Sequence, residues 1–387
     1  MSTPLILVEP ADRRAWAPFA GARPVAELRA GVWRIRERWE VATGCTARAI
    51  MGDLAAGFQE LDEPPALPSR AIAGPALVAR ADFAPSGAPP ATSAGVRRFV
   101  HGGETVAWMV AEGATWSGPS EDGESAPIEG LLLRGAFDLL TALERFLADD
   151  CADFTAKPGD PLPDGSIVLG DPSLVCSYGA VVEPGVVFDT RAGAVVLEQG
   201  VEVRNGTRLE GPCFVGAGSK VLGGAIKASV FGPRCNVRGE IASSCFIGYA
   251  NKGHEGFVGH SVLGHWVNLG AGTTTSNLKN TYGAVRLSCD GTTLETGRQF
   301  LGTLFGDHAK TAIGTMLATG TIVGAGANVF GGPPPKWVPP MAWGHQGELL
   351  TEEGFLRVAE RVMPRRDVSV TPERRAALTT LYRRFAP

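Results

Sequence analysis

The sequence lacks the features that mark a membrane, secreted or nucleic-acid-binding protein. It has no run of about 18 apolar residues and no basic start followed by an apolar block, so we expect neither a membrane span nor a secretory leader. Seven cysteines without a CxxC pair predict reduced, mostly buried thiols in a cytoplasmic protein. Lys and Arg number 36 against 40 Asp and Glu, and this net charge of −4 argues against nucleic acid as a partner.

Aromatic residues are also scarce, at 7%, whereas the chain contains 51 glycines and 28 prolines. This composition, combined with many Val, Ala and Thr residues, predicts a β protein with many tight corners. Collagen is excluded because the glycines have no period of three. The length of 387 residues predicts two or three domains rather than one.

Aliphatic residues recur every six positions through the middle of the chain. One inward aliphatic residue per six fits neither an α-helix nor a plain strand, and it predicts a parallel β-helix whose coils each contain three hexapeptides. The series comprises Leu169, Val175, Val181 and Val187; Leu197, Val203, Leu209, Val215 and Val221; Phe231 and Val237; Phe257, Leu263 and Leu269; and Leu317, Val323 and Val329.

The hexapeptide region, placed at 161–332, is flanked by segments of different texture. We expect an α/β domain over 1–160 and a Pro-rich exit with C-terminal helices over 333–387. Within these segments we expect a strand over 4–8, helices over 25–40 and 135–148, a Pro/Gly/Ala-rich interruption over 64–95, an acidic loop around 117–130, and closing helices over 351–363 and 372–385.

The six-residue pattern stops between about 273 and 304. There Asp290-Gly291, a favoured two-residue turn, separates two short β-prone runs, so a hairpin is expected. Because a loop ejected from a regular solenoid often carries function, we looked for reactive residues beside it.

His254 is the first candidate catalytic residue, since an acyl transfer to an amine needs a base that titrates near neutral pH. Backbone N–H groups in a Gly-rich corner such as 270–272 could stabilise the oxyanion. An ordinary surface role for His254 is the alternative. A second hypothesis groups His254 with His260 and His265 as ligands of a Zn²⁺ that activates water, as in a β-helix hydratase.

Several basic residues have two interpretations each. His308 and Lys310 could contact a cofactor phosphate or belong to a solvated face. Near the N-terminus the loop 9–23 has no G-x-G, so it lacks a backbone cradle for phosphates. Side chains there could hold phosphate instead, or simply form a basic surface: Arg13, Arg14, Arg23 and Arg29.

The stretches NKGHEGFVGHSVLGHWVNLGAGTTTSNLK and GRQFLGTLFGDHAKTAIG resemble the GlmU-like family of bifunctional sugar-1-phosphate nucleotidyltransferases and amino-sugar-1-phosphate acetyltransferases. RPVAELRAGVWRIRERWE and PPPKWVPPMAWG are similar to its shorter, divergent branch. The resemblance implies a nucleotidyltransferase-like domain followed by a left-handed parallel β-helix. It also implies a homotrimer that binds acetyl-CoA in the groove between neighbouring β-helices.

The resemblance also implies roles for individual residues. His254 matches the family's general base, and Asn277 matches the residue that contacts the sugar and orients the amine. Phe257 falls where the family often has Tyr. For the substrate phosphate the resemblance suggests Lys252, with Arg234, Arg238 and Arg286 as further candidates. For acetyl-CoA it suggests Ala271, Gly314 and Lys310.

The N-terminal segment departs from the family. Its phosphate loop is reduced to Arg23-Pro24, and the Gly-Asp pair that holds Mg²⁺ would fall near 73–75, where there is no Asp. Without these groups, nucleotidyl transfer would lack two sources of charge stabilisation, and Mg²⁺ is needed only if that activity persists.

The sequence thus predicts a cytoplasmic transferase that acetylates a hexosamine-1-phosphate, supplying precursors of nucleotide sugars and cell-envelope polysaccharide. Three alternatives remain at this stage: retained nucleotidyl transfer, a metal-dependent hydratase, or a non-catalytic trimeric scaffold that binds a sugar nucleotide.

Overall fold

A computed structural model describes residues 3–60, 63–87, 96–344 and 347–386. The first part of the chain forms a seven-stranded mixed sheet, and its interior strand Pro4–Val8 is parallel to both neighbours. This confirms the strand predicted at 4–8. The strands, in order across the sheet, are Glu124–Pro127, Val96–His101, Glu104–Val110, Ala76–Arg80, Pro4–Val8, Thr46–Met51 and Ala66–Leu67.

Two predictions for this domain are corrected by the sheet. The Pro/Gly/Ala-rich stretch is not an interruption, because its residues 76–80 form a buried central strand; its residues 88–95 lie outside the described part. The acidic loop supplies an edge strand. Three short antiparallel pairs complete the domain: Arg29–Ala30 with Trp33–Arg34, Ile72–Ala73 with Thr115–Trp116, and Phe83–Pro85 with Gly130–Leu132.

The helix predicted over 25–40 begins only at residue 35, as helix α1, Ile35–Thr43. Residues Val25–Glu27 form a 3₁₀ turn, and a tight two-stranded turn follows at Gly31, whose φ is +76°. That backbone conformation suits glycine and breaks an α-helix. Helix α2, Asp138–Asp153, confirms the second predicted helix with an extension at its C-terminal end.

Three parallel sheets wrap the middle of the chain into a solenoid, which we describe by its first, second and third faces. The first face contains Ile167–Leu169, Val187–Asp189, Thr207–Glu210, Gly224–Lys227, Glu240–Ala242 and Phe257–Gly259. The second contains Val175–Ser177, Val195–Leu197, Cys213–Val215, Val230–Phe231, Cys245–Phe246, Val262–Leu263, Thr303–Phe305, Thr321–Val323 and Trp337–Val338. The third contains Val181–Val182, Glu202–Val203, Lys220–Val221, Asn236–Val237, Asn251–Lys252, Asn268–Leu269, Lys310–Thr311 and Asn328–Val329.

Stacked aliphatic side chains fill the solenoid. Leu209, Ile226 and Ile241 lie in register on successive strands and are fully buried, and each such burial contributes about 1.5–3 kcal/mol. The six-residue series from Leu197 to Val221 is buried, as predicted. In the first series Val175 is buried as predicted, but Val181 is exposed and Phe188, in register with Leu209, points inward instead of Val187. Val258 is likewise the buried residue of its strand in place of the predicted Phe257.

The repeat pauses after Thr274–Thr275, which pairs with Met316–Leu317 in a separate two-stranded sheet. The ejected segment contains the predicted hairpin, Arg286–Cys289 with Thr292–Glu295. The last strand of the solenoid, at 337–338, lies within the segment expected to be a Pro-rich exit. The domain limits themselves remain a prediction.

Helices α3, Glu352–Val362, and α4, Pro372–Phe385, confirm the two helices predicted near the C-terminus. The predicted architecture is confirmed: an α/β domain, a parallel β-helix and a short helical tail. All seven cysteines are free, and six of them are buried. Within the described ranges, no helix is both long and apolar enough to span a membrane.

Candidate functional site

The candidate base His254 lies exposed on the turn that precedes strand Phe257–Gly259. Lys252 supports this turn from inside the solenoid. Its Nζ donates to the carbonyl oxygens of Glu255 at 3.0 Å and Arg238 at 3.3 Å, and also to that of His254. One buried ammonium therefore holds the backbone on which His254 is presented.

Lys252 occupies an inward position of the third face, in register with Val237 on the preceding strand. It is fully buried, and burial lowers the pKa of its ammonium to about 8, although Glu255 opposes the shift. We expected Lys252 to bind the substrate phosphate. The structure instead turns its donors towards backbone carbonyls inside the coil, because the strand directs this side chain inward.

The remaining candidates for the phosphate lie apart from one another. Arg238 borders the turn of His254, where its Nε donates to Glu255 Oε1 at 2.7 Å while the side chain stays partly exposed. Arg286 lies on the ejected hairpin and pairs with Glu295 across the two strands at 3.2 Å. Arg234 pairs with Asp367 of the C-terminal tail. Only Arg238 is adjacent to His254.

Phe257 and Asn277 lie on the outer side of the first face, beyond His254. A Cβ added at Gly259 would fall 2.4 Å from the Phe257 ring and 2.7 Å from Asn277 Nδ2, so these two groups converge over Gly259. Asn277 Nδ2 in turn lies 2.9 Å from His260 Nδ1. The face between His254 and Asn277 thus presents an aromatic ring with a carboxamide at its far end.

The corners expected to contact acetyl-CoA stack along the solenoid edge that carries His254. The N–H of Gly272 donates to the Glu255 carbonyl at 2.9 Å, and the N–H of Gly314 donates to the Ala271 carbonyl at 2.8 Å. Three successive coils therefore place His254, Ala271 and Gly314 on one edge of the solenoid.

His308 differs from both of its expected roles, whereas the cofactor role of Lys310 stays a prediction. Lys310 lies on the third face, where its Nζ donates to the His308 carbonyl at 2.8 Å and burial lowers the pKa of the amine to about 8. The His308 ring is buried between Trp266 and Phe355 and is neither a phosphate ligand nor part of a solvated face. Burial and Lys310 lower the pKa of His308 to about 3.

The three histidines of the hydratase hypothesis lie on three different corners of the solenoid. His254 precedes the first face, and His260 follows it and stacks on Phe300. His265 follows the second face, where its Nδ1 lies 2.8 Å from a carboxylate oxygen of Glu60. Within the described ranges no three His, Cys, Asp or Glu side chains converge as a metal site. The geometry therefore contradicts a shared Zn²⁺ site.

A cleft of about 690 Å³ opens at the carboxyl ends of the central strands of the N-terminal sheet. Where a phosphate-binding loop would begin, Glu9 accepts hydrogen bonds from the N–H groups of Val25 at 2.7 Å and Ala26 at 3.1 Å. Burial raises the pKa of Glu9 to about 7 despite these two bonds. The amides that could cradle an anion are occupied by the protein's own carboxyl group.

Sequence reasoning missed Asp82, which lines this cleft two residues after the central strand Ala76–Arg80. A buried apolar strand followed by an Asp was the signal that could have found it. Arg80 donates to both Asp82 oxygens, at 2.8 and 2.9 Å, and to Glu104 at 3.0 Å. Because a guanidinium already neutralises these carboxylates, the arrangement does not fit a bound Mg²⁺.

The N-terminal arginines are dispersed. Arg23 is buried at the junction with the solenoid, where its Nε donates to Asp307 at 3.0 Å, and it also pairs with Glu60. Arg29 donates to the Ile247 carbonyl at 3.0 Å. Arg13 lies over the ring of Phe385, and Arg14 is 3.7 Å from Asp290. The structure does not bring these four side chains together as a phosphate site.

Comparison with known proteins agrees with the α/β domain of this architecture. The family described as sugar nucleotidyl transferase matches residues 5–157. These comparisons support a GlmU-like family for the chain. A bifunctional sugar-1-phosphate nucleotidylyltransferase/acetyltransferase of Sulfurisphaera tokodaii is 32% identical over 93 residues, 24% of this chain and 23% of that protein. The bifunctional protein GlmU of Methanococcus vannielii is 35% identical over 86 residues, 22% of this chain and 20% of that protein. The matched segments thus cover about a quarter or less of each relative.

Proposed function

We propose that the solenoid transfers an acetyl group from acetyl-CoA to the amine of a hexosamine-1-phosphate. The observation that carries this proposal is the exposed His254, held on a turn that buried Lys252 supports, at the edge where the Ala271 and Gly314 corners stack. The relative named as a bifunctional nucleotidylyltransferase/acetyltransferase favours the same chemistry.

In the proposed reaction the sugar amine attacks the thioester carbonyl carbon, so that an N–C bond forms and the C–S bond breaks. His254 takes the proton that the amine loses, and the coenzyme leaves as a thiolate that is protonated afterwards. Asn277 contacts the sugar at the far end of the first face, and Phe257 lies against its ring between the two polar groups. Arg238 borders the turn of His254 and offers a cation for the phosphate.

The test is thiol release from acetyl-CoA with glucosamine-1-phosphate or galactosamine-1-phosphate as acceptor. We expect wild type to turn over and His254→Ala to lose about 10²–10⁴-fold in rate, the usual contribution of a general base. Glu202→Gln is the control, because Glu202 pairs with Lys220 at 2.6 Å on the third face, three strands before the turn of His254, and should leave the rate within about threefold.

Absence of thiol release with both sugars would overturn the proposal. Tight binding of a sugar nucleotide in that case would favour the non-catalytic scaffold. Nucleotidyl transfer by the N-terminal domain is a second candidate, because the family match covers residues 5–157. Formation of a nucleotide sugar from a sugar-1-phosphate and a nucleoside triphosphate with added Mg²⁺ tests it. Against it stand the Glu9 carboxyl that fills the phosphate-loop position and the Arg80–Asp82 pair.

A further inference from the structure

His260 and Asn277 form a polar pair where the ejected segment leaves the solenoid. The Nδ2 atom of Asn277 lies 2.9 Å from His260 Nδ1. The His260 ring stacks on Phe300, with ring centroids 5.1 Å apart and planes at 24°. The chain leaves the solenoid after Asn277 and rejoins it at Leu301, whose N–H donates to the Asn277 carbonyl oxygen at 2.9 Å. Both side chains are therefore fixed by the return of the ejected segment.

The direction of this hydrogen bond determines how the Asn277 carboxamide is oriented. Its NH₂ group can only donate, so His260 Nδ1 must accept with its lone pair, and the imidazole proton resides on Nε2. The carbonyl Oδ1 of Asn277 is then left as an acceptor, and no described residue donates a side-chain hydrogen bond to it. An acceptor beside the Phe257 ring suits the N–H of an amine.

Charges around His260 favour this neutral form. Burial lowers the pKa of His260, and Arg298 of the returning segment and Lys227 of the first face lower it further. Glu144 of helix α2 is the opposing carboxylate. It is itself bound by Arg298 Nη1 at 3.2 Å. At neutral pH the ring therefore keeps the lone pair that Asn277 needs.

We propose that His260 is a positioning residue, which holds the Asn277 carboxamide so that its Oδ1 accepts a hydrogen bond from the amine of the sugar substrate. This inference rests on the proposed acetyl transfer and adds a group that does not itself touch the substrate. Protonation of His260 would turn Nδ1 into a donor, and the carboxamide would rotate to place Oδ1 on the ring. The amine would then lose its acceptor.

Two substitutions separate positioning from packing. His260→Asn places an amide oxygen at the same number of bonds from the backbone as Nδ1, and asparagine tolerates the φ of +45° found at this position. His260→Leu has similar bulk but no acceptor. We expect kcat with the amino sugar phosphate to fall about 10- to 100-fold in His260→Leu, whereas His260→Asn keeps it within about threefold.

The pH profile of the wild type supplies a second measurement that needs no variant to fold. His260 has a lowered pKa, so it protonates below its ordinary value of about 6.5. Protonation of His260 should add one unit to the acid-side slope of log kcat/KM. The profile of His260→Asn should lack this added unit.

The outcomes distinguish this inference from the proposed function. If wild type releases no thiol, acetyl transfer is wrong and the role of His260 is wrong with it. If wild type is active and His260→Leu matches it, or if both variants lose activity and melting temperature equally, only the positioning role is wrong. A retained rate in His260→Asn, with a lost rate in a folded His260→Leu, supports it.

Discussion

At the scale of the residue, Lys252 shows how an inward position can serve a surface site. Its neighbour in register is Val237, yet its ammonium reaches three carbonyl oxygens around the turn of His254. The cost of burying the charge is offset by these bonds, which an apolar side chain cannot make. The role of Lys252 is therefore to support the backbone.

Replacement of this lysine separates turn support from phosphate binding. Lys252→Met keeps an unbranched chain but cannot donate, so we expect a loss of about 1–3 kcal/mol in the free energy of unfolding. We also expect kcat to fall at least about 10-fold because His254 is displaced, while KM for the sugar phosphate stays within about twofold. Urea unfolding and thiol release measure both effects.

Lys220→Met is the matched control, since Lys220 also lies on the third face but points outward and pairs with Glu202 at 2.6 Å. It should change stability by less than about 1 kcal/mol. A higher KM for the sugar phosphate in Lys252→Met, with unchanged stability and kcat, would instead restore Lys252 as a phosphate ligand.

At the scale of the element, the solenoid depends on close contact between successive corners. Gly256 follows the turn of His254 with a φ of +126°, and a Cβ there would fall 2.2 Å from the carbonyl oxygen of Thr273 in the next coil. Gly206 occupies an equivalent corner three coils earlier on the same edge, with a φ of +79° and open space around the missing Cβ. The two glycines share a left-handed backbone but differ in the room around them.

Alanine at each corner should therefore have different effects. For Gly206→Ala we expect a loss of about 1 kcal/mol in unfolding free energy, from backbone strain alone. For Gly256→Ala we expect about 3 kcal/mol or more, together with loss of acetyl transfer, because the next coil must move. Equal losses measured by urea unfolding would show that the close contact at Gly256 relaxes without cost.

At the scale of the whole molecule, a buried ionic network joins the N-terminal domain to the solenoid. Arg23 pairs with Glu60 and Asp307, and Glu60 also accepts hydrogen bonds from the Trp266 indole and lies beside His265. Burial alone would raise the pKa of Glu60, but His265 and Arg23 hold it well below its ordinary value. Contacts with the N-terminal domain thus occupy the corner of the solenoid between its second and third faces, where His265 lies.

The edge that carries His254 leaves apolar side chains in solvent. Ile313 is 82% exposed and Met316 is 74% exposed, close to the Gly314 corner, and Phe330 and Trp343 follow in later coils. Exposed apolar strips of this kind mark surfaces that pack against a partner. They fit the homotrimer, with acetyl-CoA between neighbouring solenoids, that the family resemblance implies.

Light scattering after size exclusion tests the assembly. We expect the mass of three chains for wild type, and dissociation with at least about 10-fold weaker acetyl transfer for Ile313→Glu. Val41→Glu is the control, because Val41 is equally exposed, at 80%, but lies on helix α1 of the N-terminal domain. A monomeric wild type would remove the site between subunits.

The sequence by itself determined the solenoid, because one inward aliphatic residue per six positions has a single structural explanation, and the hairpin at Asp290-Gly291 follows from local turn chemistry. Local reasoning failed where the outcome depended on distant contacts. The apparent helix over 25–40 is broken at Gly31, where a Cβ would fall 2.3 Å from Asp150 of helix α2. Val187 was misassigned because a one-residue offset reverses which side of a strand faces the core.

Some residues of the candidate site could be predicted from the sequence, and others could not. Motif and family resemblance singled out His254, Asn277, Ala271 and Gly314, which are surface groups in recognisable sequence motifs. Only the tertiary structure decided that Lys252 points inward, that His265 and His308 are buried at the domain junction, and that His260 meets Asn277. These placements arise from which corner of the coil each residue occupies, and that depends on the packing of successive coils and on the domains that cover them.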